Sequence, residues 1–270
     1  MAFLERLQRR VAEGRTHLCV GLDPDLDRLP EPLPKTAEGV RQFLEGIIES
    51  TCALACVYKP NLAFYGALGT EGMAVLERTI RFAGERCPVI LDGKFGDIGN
   101  TAKAYARMAF EKFGADAVTL NPYMGSDSLA PFVEREDGFA FVLGVTSNPS
   151  SSEIQKRVTG GGRPLFEAVA EELENHFPSE NWGWVAGATQ AHEMKRLRAK
   201  SPERWFLIPG VGAQGGGVEE SMENSVSRSG ARLAVINASR SILYASAGPD
   251  YREAAQKAAE ELVTQMRKFA

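Results

Sequence analysis

Short apolar runs alternate with longer amphipathic stretches along the whole chain. The runs that predict strands are His17–Leu22, Cys56–Lys59, Val89–Leu91, Ala117–Leu120, Ala140–Val145, Gly183–Gly187, Phe206–Pro209 and Leu233–Ile236. Their interiors (VIL, AVTL, AFVLGV, FLIPG) are apolar at consecutive positions, as expected of parallel strands covered on both faces. Segments such as Ala102–Phe113 and Tyr251–Phe269 read as helices, the first closed by Gly114. Phe3, Leu4, Leu7 and Val11 recur at helical spacing and predict a short N-terminal helix. Eight strands, each followed by room for a helix, predict an α/β chain folded as one (β/α)8 TIM barrel, a single domain over residues 1–270. An open doubly wound sheet is the alternative. Thr146–Gly162, rich in Ser and Gly, is the longest irregular stretch, and it follows the fifth strand on the face where barrel loops carry function.

Composition narrows the function. Of the 270 residues 44% are hydrophobic and 24% charged, which is ordinary for a globular protein. Lys and Arg total 31 against 35 Asp and Glu, leaving a net charge of −4. A nucleic-acid partner is therefore not expected, although one local anion site is compatible with that balance. No uncharged apolar run approaches the roughly 18 residues of a membrane span, so no membrane partner is expected either. Glu5, Arg6, Arg9 and Arg10 interrupt the amino-terminal segment and argue against a signal peptide. Cys19, Cys52, Cys56 and Cys87 form no CxxC pair, and His17, His176 and His192 are scattered. A zinc site or redox dithiol is not indicated, and a cytoplasmic enzyme with reduced, buried thiols fits best.

In a barrel, chemistry sits at the carboxyl ends of the strands. The polar residues there are Asp23; Lys59 and Asn61; Asp92, Lys94 and Asp97; Asn121; Thr146 and Ser147; Gln190; Gln214; and Asn237, Ser239 and Arg240. The densest group is VILDGKFGD (89–97). On an extended chain Asp92 and Lys94 share a face, roughly 7 Å apart at Cα. Asp97 precedes a helix starting near Asn100–Thr101, whose dipole suits an acid there. A structural ion pair and a helix-end anion are the plain readings of these residues. A carboxylate beside a lysine favours the charged ammonium, whereas a Schiff-base lysine must lose its proton. Lys94 flanked by Asp92 and Asp97 is thus placed to deliver a proton. Lys59 would extend the group into an alternating Lys–Asp–Lys–Asp array that needs little reorganisation during reaction.

The second constellation is FLIPGVGAQGGG (206–217) with INASRSI (236–242). Loops after strands seven and eight commonly bind phosphate in this fold, and glycine N–H groups with Arg240 suit a dianion. Tight turns and a surface arginine are the plain alternative. Thr146 or Ser147 suits a hydrogen bond to a polar ring, and Asp23 one to a sugar hydroxyl, although both also suit turns. Trp182, Trp184 and Trp205 flank apolar runs and read as packing.

Taken together, CVGLDPD (19–25), YKPNLAFY (58–65), LDGKFGDIGNTA (91–102), VTLNPYMG (118–125), LGVTSNPS (143–150), PGVGAQGG (209–216) and INASRSI (236–242) resemble the orotidine 5′-phosphate decarboxylase family in its longer, bacterial-type branch. The DxKxxDIxNT element is the most specific of them. The resemblance implies a homodimeric (β/α)8 barrel that removes CO2 from orotidine 5′-phosphate to give UMP, without metal or organic cofactor. It implies that Lys94 protonates C6 of the pyrimidine, with Asp92 beside the leaving carboxylate and Asp97 and Thr101 reaching into the neighbouring subunit's site. Lys59 and Asp23 match residues near the ribose and the charge network, and Ser147 matches the partner of the base. Gln214 and Arg240 match phosphate ligands, and the segment from Pro209 matches the loop that closes over phosphate. The chain departs from many members in having Gly99 in place of proline, Ser239 in place of glycine, and a longer Thr146–Gly162 region. Two other readings compete. One is a metal-dependent sugar-phosphate lyase with Asp92 and Asp97 near Mg2+, which lacks a third clear acidic ligand. The other is a non-catalytic nucleotide-binding barrel, for which a buried Asp–Lys–Asp cluster would be costly.

Overall fold

The computed structural model describes residues 2–211 and 217–269. Its strands are β1 (Leu18–Leu22), β2 (Val57–Pro60), β3 (Ile90–Phe95), β4 (Ala117–Leu120), β5 (Phe139–Val145), β6 (Trp182–Ala186), β7 (Phe206–Pro209) and β8 (Ala234–Ala238). Every neighbouring pair is parallel, in the order β2-β1-β8-β7-β6-β5-β4-β3. Parallel bridges Tyr58–Val89 and Asn61–Asp92 join β2 to β3 and close the ring. This is the predicted (β/α)8 barrel, and the open sheet is excluded.

The helices are α1 (Phe3–Gly14), α2 (Ala37–Thr51), α3 (Leu62–Gly66), α4 (Gly69–Gly84), α5 (Gly99–Ala106), α6 (Ser126–Val133), α7 (Ser151–Ile154), α8 (Leu165–His176), α9 (Ala191–Lys200), α10 (Val218–Glu223), α11 (Arg240–Leu243) and α12 (Tyr251–Arg267). The helix expected over Ala102–Phe113 begins earlier, at Gly99, and its last turn, Arg107–Lys112, is a wide π turn. It ends at Gly114 with φ +72°, the left-handed stop that glycine permits. Thr146–Gly162 is not irregular throughout. It contains α7, and Gln155 ties it back to β5 by accepting from the Thr146 N–H at 2.9 Å and donating to Thr146 Oγ1 at 2.8 Å.

Two apolar cores explain where the site sits. The larger lies between sheet and helices and includes Trp182 and Trp184, which serve as packing. The smaller fills the barrel, with Cys19, Val57, Ile90, Ala117, Phe139, Phe141 and Val235 among its members. Helix α1 plugs the amino-terminal end with Phe3 and Leu7, and the Phe3 ring lies 5.0 Å from that of Phe139. Side chains two residues apart share a strand face. One step above the apolar layer, the inward positions are therefore Gly21, Lys59, Asp92, Thr119 and Asn237. The barrel interior turns from apolar to charged over a single layer at its carboxyl end.

Candidate active site

Asp92 is the centre of that layer. Its Oδ2 accepts from Lys59 Nζ at 3.0 Å and Asn61 Nδ2 at 3.2 Å, and its Oδ1 from Lys94 Nζ at 2.7 Å and Thr119 Oγ1 at 2.7 Å. Four donors satisfy a carboxylate in full. Burial alone would raise the Asp92 pKa, but Lys59 and Lys94 outweigh it and hold the carboxyl well below the usual range. Burial pulls the Lys59 pKa down, and Asp92 and Asp23 more than restore it, so this ammonium is held charged. The two lysines differ in access: the Lys59 side chain is 5% exposed and that of Lys94 is 46% exposed. One is a fixed countercharge, and the other a cation that reaches solvent.

Two expectations about this group are corrected. The chain is not extended through Lys94, which has φ +45°. Leu91 pairs with Val118 and Phe95 with Leu120, so β3 bulges between them. The left-handed turn at Lys94 is held by its N–H donating to Thr119 Oγ1 at 2.9 Å. The alternating four-charge array is also not formed within one chain. Asp97 lies beyond the strand, where its Oδ1 accepts from the Ile98 N–H at 2.8 Å, and it pairs with neither lysine. Instead of one lysine between two acids, the chain builds one acid between two lysines. Asp97 and Thr101 stand apart from this group, at the start of α5, with Thr101 exposed.

Above the charged layer opens a cleft of about 430 Å3, lined by residues from β2, β3, β7 and β8 and from the segments that follow β1, β2, β7 and β8. Of the residues singled out from the sequence, Asp23, Lys59, Asp92, Pro209 and Arg240 line it. Asp23 Oδ2 accepts from Ser239 Oγ at 2.7 Å, while its Oδ1 is buried without a protein partner. A buried orphan acceptor is costly unless a ligand donates to it. The Ser239 side chain fits because a Cβ at Gly21 would come within 2.7 Å of Ser239 Cβ. Ser147, after β5, also has a buried hydroxyl with no partner. A Cβ at Gly187 would fall 2.3 Å from that oxygen, so glycine there makes room for Ser147. Pro209 accepts from the Ala188 N–H at 2.9 Å and is followed by Gly210 at φ +97°. Gln214 lies outside the described residues.

Sequence reasoning missed Thr119, and also Arg28 and Tyr244, which line the cleft as well. Thr119 was detectable as the one serine or threonine inside a strand run, whereas nothing in the sequence marks the other two. Asn61 and Asn237 stand among the strand exits but were not singled out. Among the described residues no group of three His, Cys, Asp or Glu side chains could hold a metal ion. Asp92 and Asp97, the pair required near Mg2+, therefore belong to no such group.

The comparisons agree with this geometry. Residues 16–258 match the model of the orotidine 5′-phosphate decarboxylase / HUMPS family. The orotidine 5′-phosphate decarboxylase of Herpetosiphon aurantiacus is 48% identical over 259 residues, 96% of this chain and 95% of that protein. The solved OMP decarboxylase of Leishmania donovani is 40% identical, with a TM-score of 0.85 over 99% of this chain and all (100%) of that one. The UMP synthase of the same organism is 41% identical with a TM-score of 0.87, and this chain spans 57% of its length.

Proposed function

The chain belongs to the orotidine 5′-phosphate decarboxylase family, and we propose that it performs that chemistry through Lys94, Asp92 and Lys59. Its reaction is the decarboxylation of orotidine 5′-phosphate to UMP in pyrimidine biosynthesis. When the C6–carboxylate bond breaks, its electron pair stays on C6 in an orbital orthogonal to the ring π system, so the ring absorbs it poorly. The protein must then stabilise a localised carbanion by placed charge. The observation that carries the assignment is the buried Asp92 carboxylate held by two ammonium groups at the floor of the cleft.

In this reading Lys94 supplies the positive charge and then transfers a proton from Nζ to C6, while CO2 departs. Asp92 stays ionised beside the leaving carboxylate and keeps the Lys94 ammonium in register. Lys59, buried and committed to Asp92, fixes that carboxylate. The unsatisfied oxygens of Asp23 and Ser147 take the ribose hydroxyls and the base, and Pro209, Gln214 and Arg240 take the phosphate end. Binding energy from the phosphate, remote from C6, goes into ordering the site.

The same proposal includes a homodimer. Ile98, Thr101 and Tyr105 are exposed and spaced to share one face at the start of α5, and Tyr123 and Met124 on the loop after β4 are exposed too. A second copy covering this apolar surface would carry Asp97 and Thr101 to its neighbour's site. A cytoplasmic location is also part of the proposal, in keeping with four free cysteines of which three are buried. No described helix is long and apolar enough to cross a membrane.

Loss of orotidylate absorbance tests the reaction directly. Turnover is expected to be unchanged by a chelator, and metal-dependent turnover would contradict the mechanism. Mixing inactive Lys94→Ala and Asp97→Ala chains tests the dimer. Activity should return to about a quarter of wild type, since a mixed pair holds one complete site. No recovery after exchange of subunits would place Asp97 in its own chain's site or in none.

A further inference from the structure

The cleft contains a second arginine. Arg28 ends the 3-10 turn Leu26–Arg28 after β1, lines the same cleft as Arg240, and sets its guanidinium carbon 4.1 Å from the centroid of the Tyr244 ring. Tyr244 directly follows α11, and its N–H donates to the Arg240 carbonyl at 3.2 Å. Residues four apart on such a turn are neighbours, with roughly 5–6 Å between their Cβ atoms. A guanidinium lying on Tyr244 therefore stands about one helical turn from Arg240.

The platform under Arg28 is fixed. The Tyr244 ring stacks on Phe43 with centroids 5.6 Å apart, and its hydroxyl accepts from the Asp25 N–H at 2.7 Å and donates to the Asp23 carbonyl at 3.3 Å. Among the described residues no carboxylate pairs with Arg28, so an aromatic face rather than a countercharge holds it. Lys59 and Lys94, the other cations of the site besides Arg240, are both paired with Asp92. A phosphate monoester carries a charge of about −1.5 to −2 at neutral pH, which one arginine matches incompletely.

Building on the proposed phosphate end of the cleft, we propose that Arg28 is a second phosphate-binding residue, closing on the substrate's phosphate together with Arg240, and that Tyr244 is its positioning residue. Arg28 then adds to the preference for a phosphorylated nucleoside over the free one. A flat guanidinium both stacks on a ring and donates in pairs to phosphate oxygens, which a lysine cannot do.

The test compares kcat/KM on orotidine 5′-phosphate and on orotidine, the same nucleoside without its phosphate, for Arg28→Met, Arg28→Lys, Tyr244→Leu and Arg240→Met. Arg28→Met should lower kcat/KM on the phosphorylated substrate by about 10- to 100-fold. Its effect on orotidine should be at least about tenfold smaller, with unchanged thermal unfolding. Arg28→Lys should recover only part of the loss, and Tyr244→Leu should reproduce part of it. Equal losses on both substrates, or none, for Arg28→Met would overturn the role of Arg28. If Arg240→Met still shows the phosphate-selective loss in that case, the phosphate end stands without Arg28. If neither variant shows it, the phosphate assignment itself fails.

Discussion

Thr119→Val replaces a hydroxyl by a methyl at nearly constant volume in a position that is 1% exposed. Two bonds disappear together: the 2.7 Å donation to Asp92 and the 2.9 Å acceptance from the Lys94 N–H. A hydrogen bond to a charged group contributes about 1.5–3 kcal/mol, and a stranded amide costs about 1–3 kcal/mol. The left-handed Lys94 backbone carries a cost of roughly 1–2 kcal/mol, which the bond to Thr119 helps to offset. Partial relaxation leaves a destabilisation of about 2–5 kcal/mol, or a Tm lower by roughly 5–15 °C at this chain length. If about half of that reflects a changed placement of Lys94 against Asp92, kcat falls by about 10- to 100-fold. KM should change little, because Thr119 does not line the cleft. Steady-state kinetics on orotidine 5′-phosphate, with thermal unfolding in parallel, separates the two effects. Thr119→Ser keeps the oxygen and should restore kcat to within a few fold. A valine variant with wild-type kcat, or a serine variant as impaired as valine, would refute the idea that this hydroxyl sets the lysine.

Gly187→Ala should raise KM for orotidine 5′-phosphate by about tenfold, because the new Cβ would meet Ser147 Oγ at 2.3 Å and Ser147 N at 2.8 Å and must push the β5 exit away. Unchanged KM would remove Ser147 from the base pocket. His17 supplies a pH test. Burial lowers its pKa against the bond from its ring to the Ala234 carbonyl, so on acidification the unfolded chain takes up the proton before the folded one. Stability should therefore decline as pH falls below about 6.5 and rise as pH increases through that window. The slope should flatten in His17→Asn, as read from denaturant midpoints between pH 5 and 7, and an identical slope would assign the dependence to another group.

The barrel was legible because each strand is apolar on both faces and each is followed by an amphipathic segment. Ala117–Leu120 and Phe206–Pro209 are bounded as the apolar pattern indicates, since turn residues close both. Strand β3 runs four residues beyond the predicted end at Leu91, where the apolar run stops, because the polar Asp92–Lys94 stretch lies in a bulge that rejoins β4 at Phe95. The same bulge explains why Asp92 and Lys94 meet although the backbone between them is not extended. Asp97, three residues past Lys94, lies where the chain has already left the barrel for α5, so it joins neither lysine of its own chain. A run that is apolar on both faces hides which residues point inward, so Thr119 read as a strand residue like its neighbours. Arg28 and Tyr244 come from turns whose meeting is set by the pairing of β1 with β8, which no local pattern reports.

The most direct measurement is the turnover of Lys94→Ala under conditions where its fold and its binding of UMP are verified. If the Lys94 ammonium both stabilises the carbanion and protonates C6, its removal should lower kcat by at least about 10^4-fold, combining proton transfer with charge stabilisation. Affinity for UMP should change far less. Turnover within tenfold of wild type in a folded, UMP-binding variant would contradict the role of Lys94.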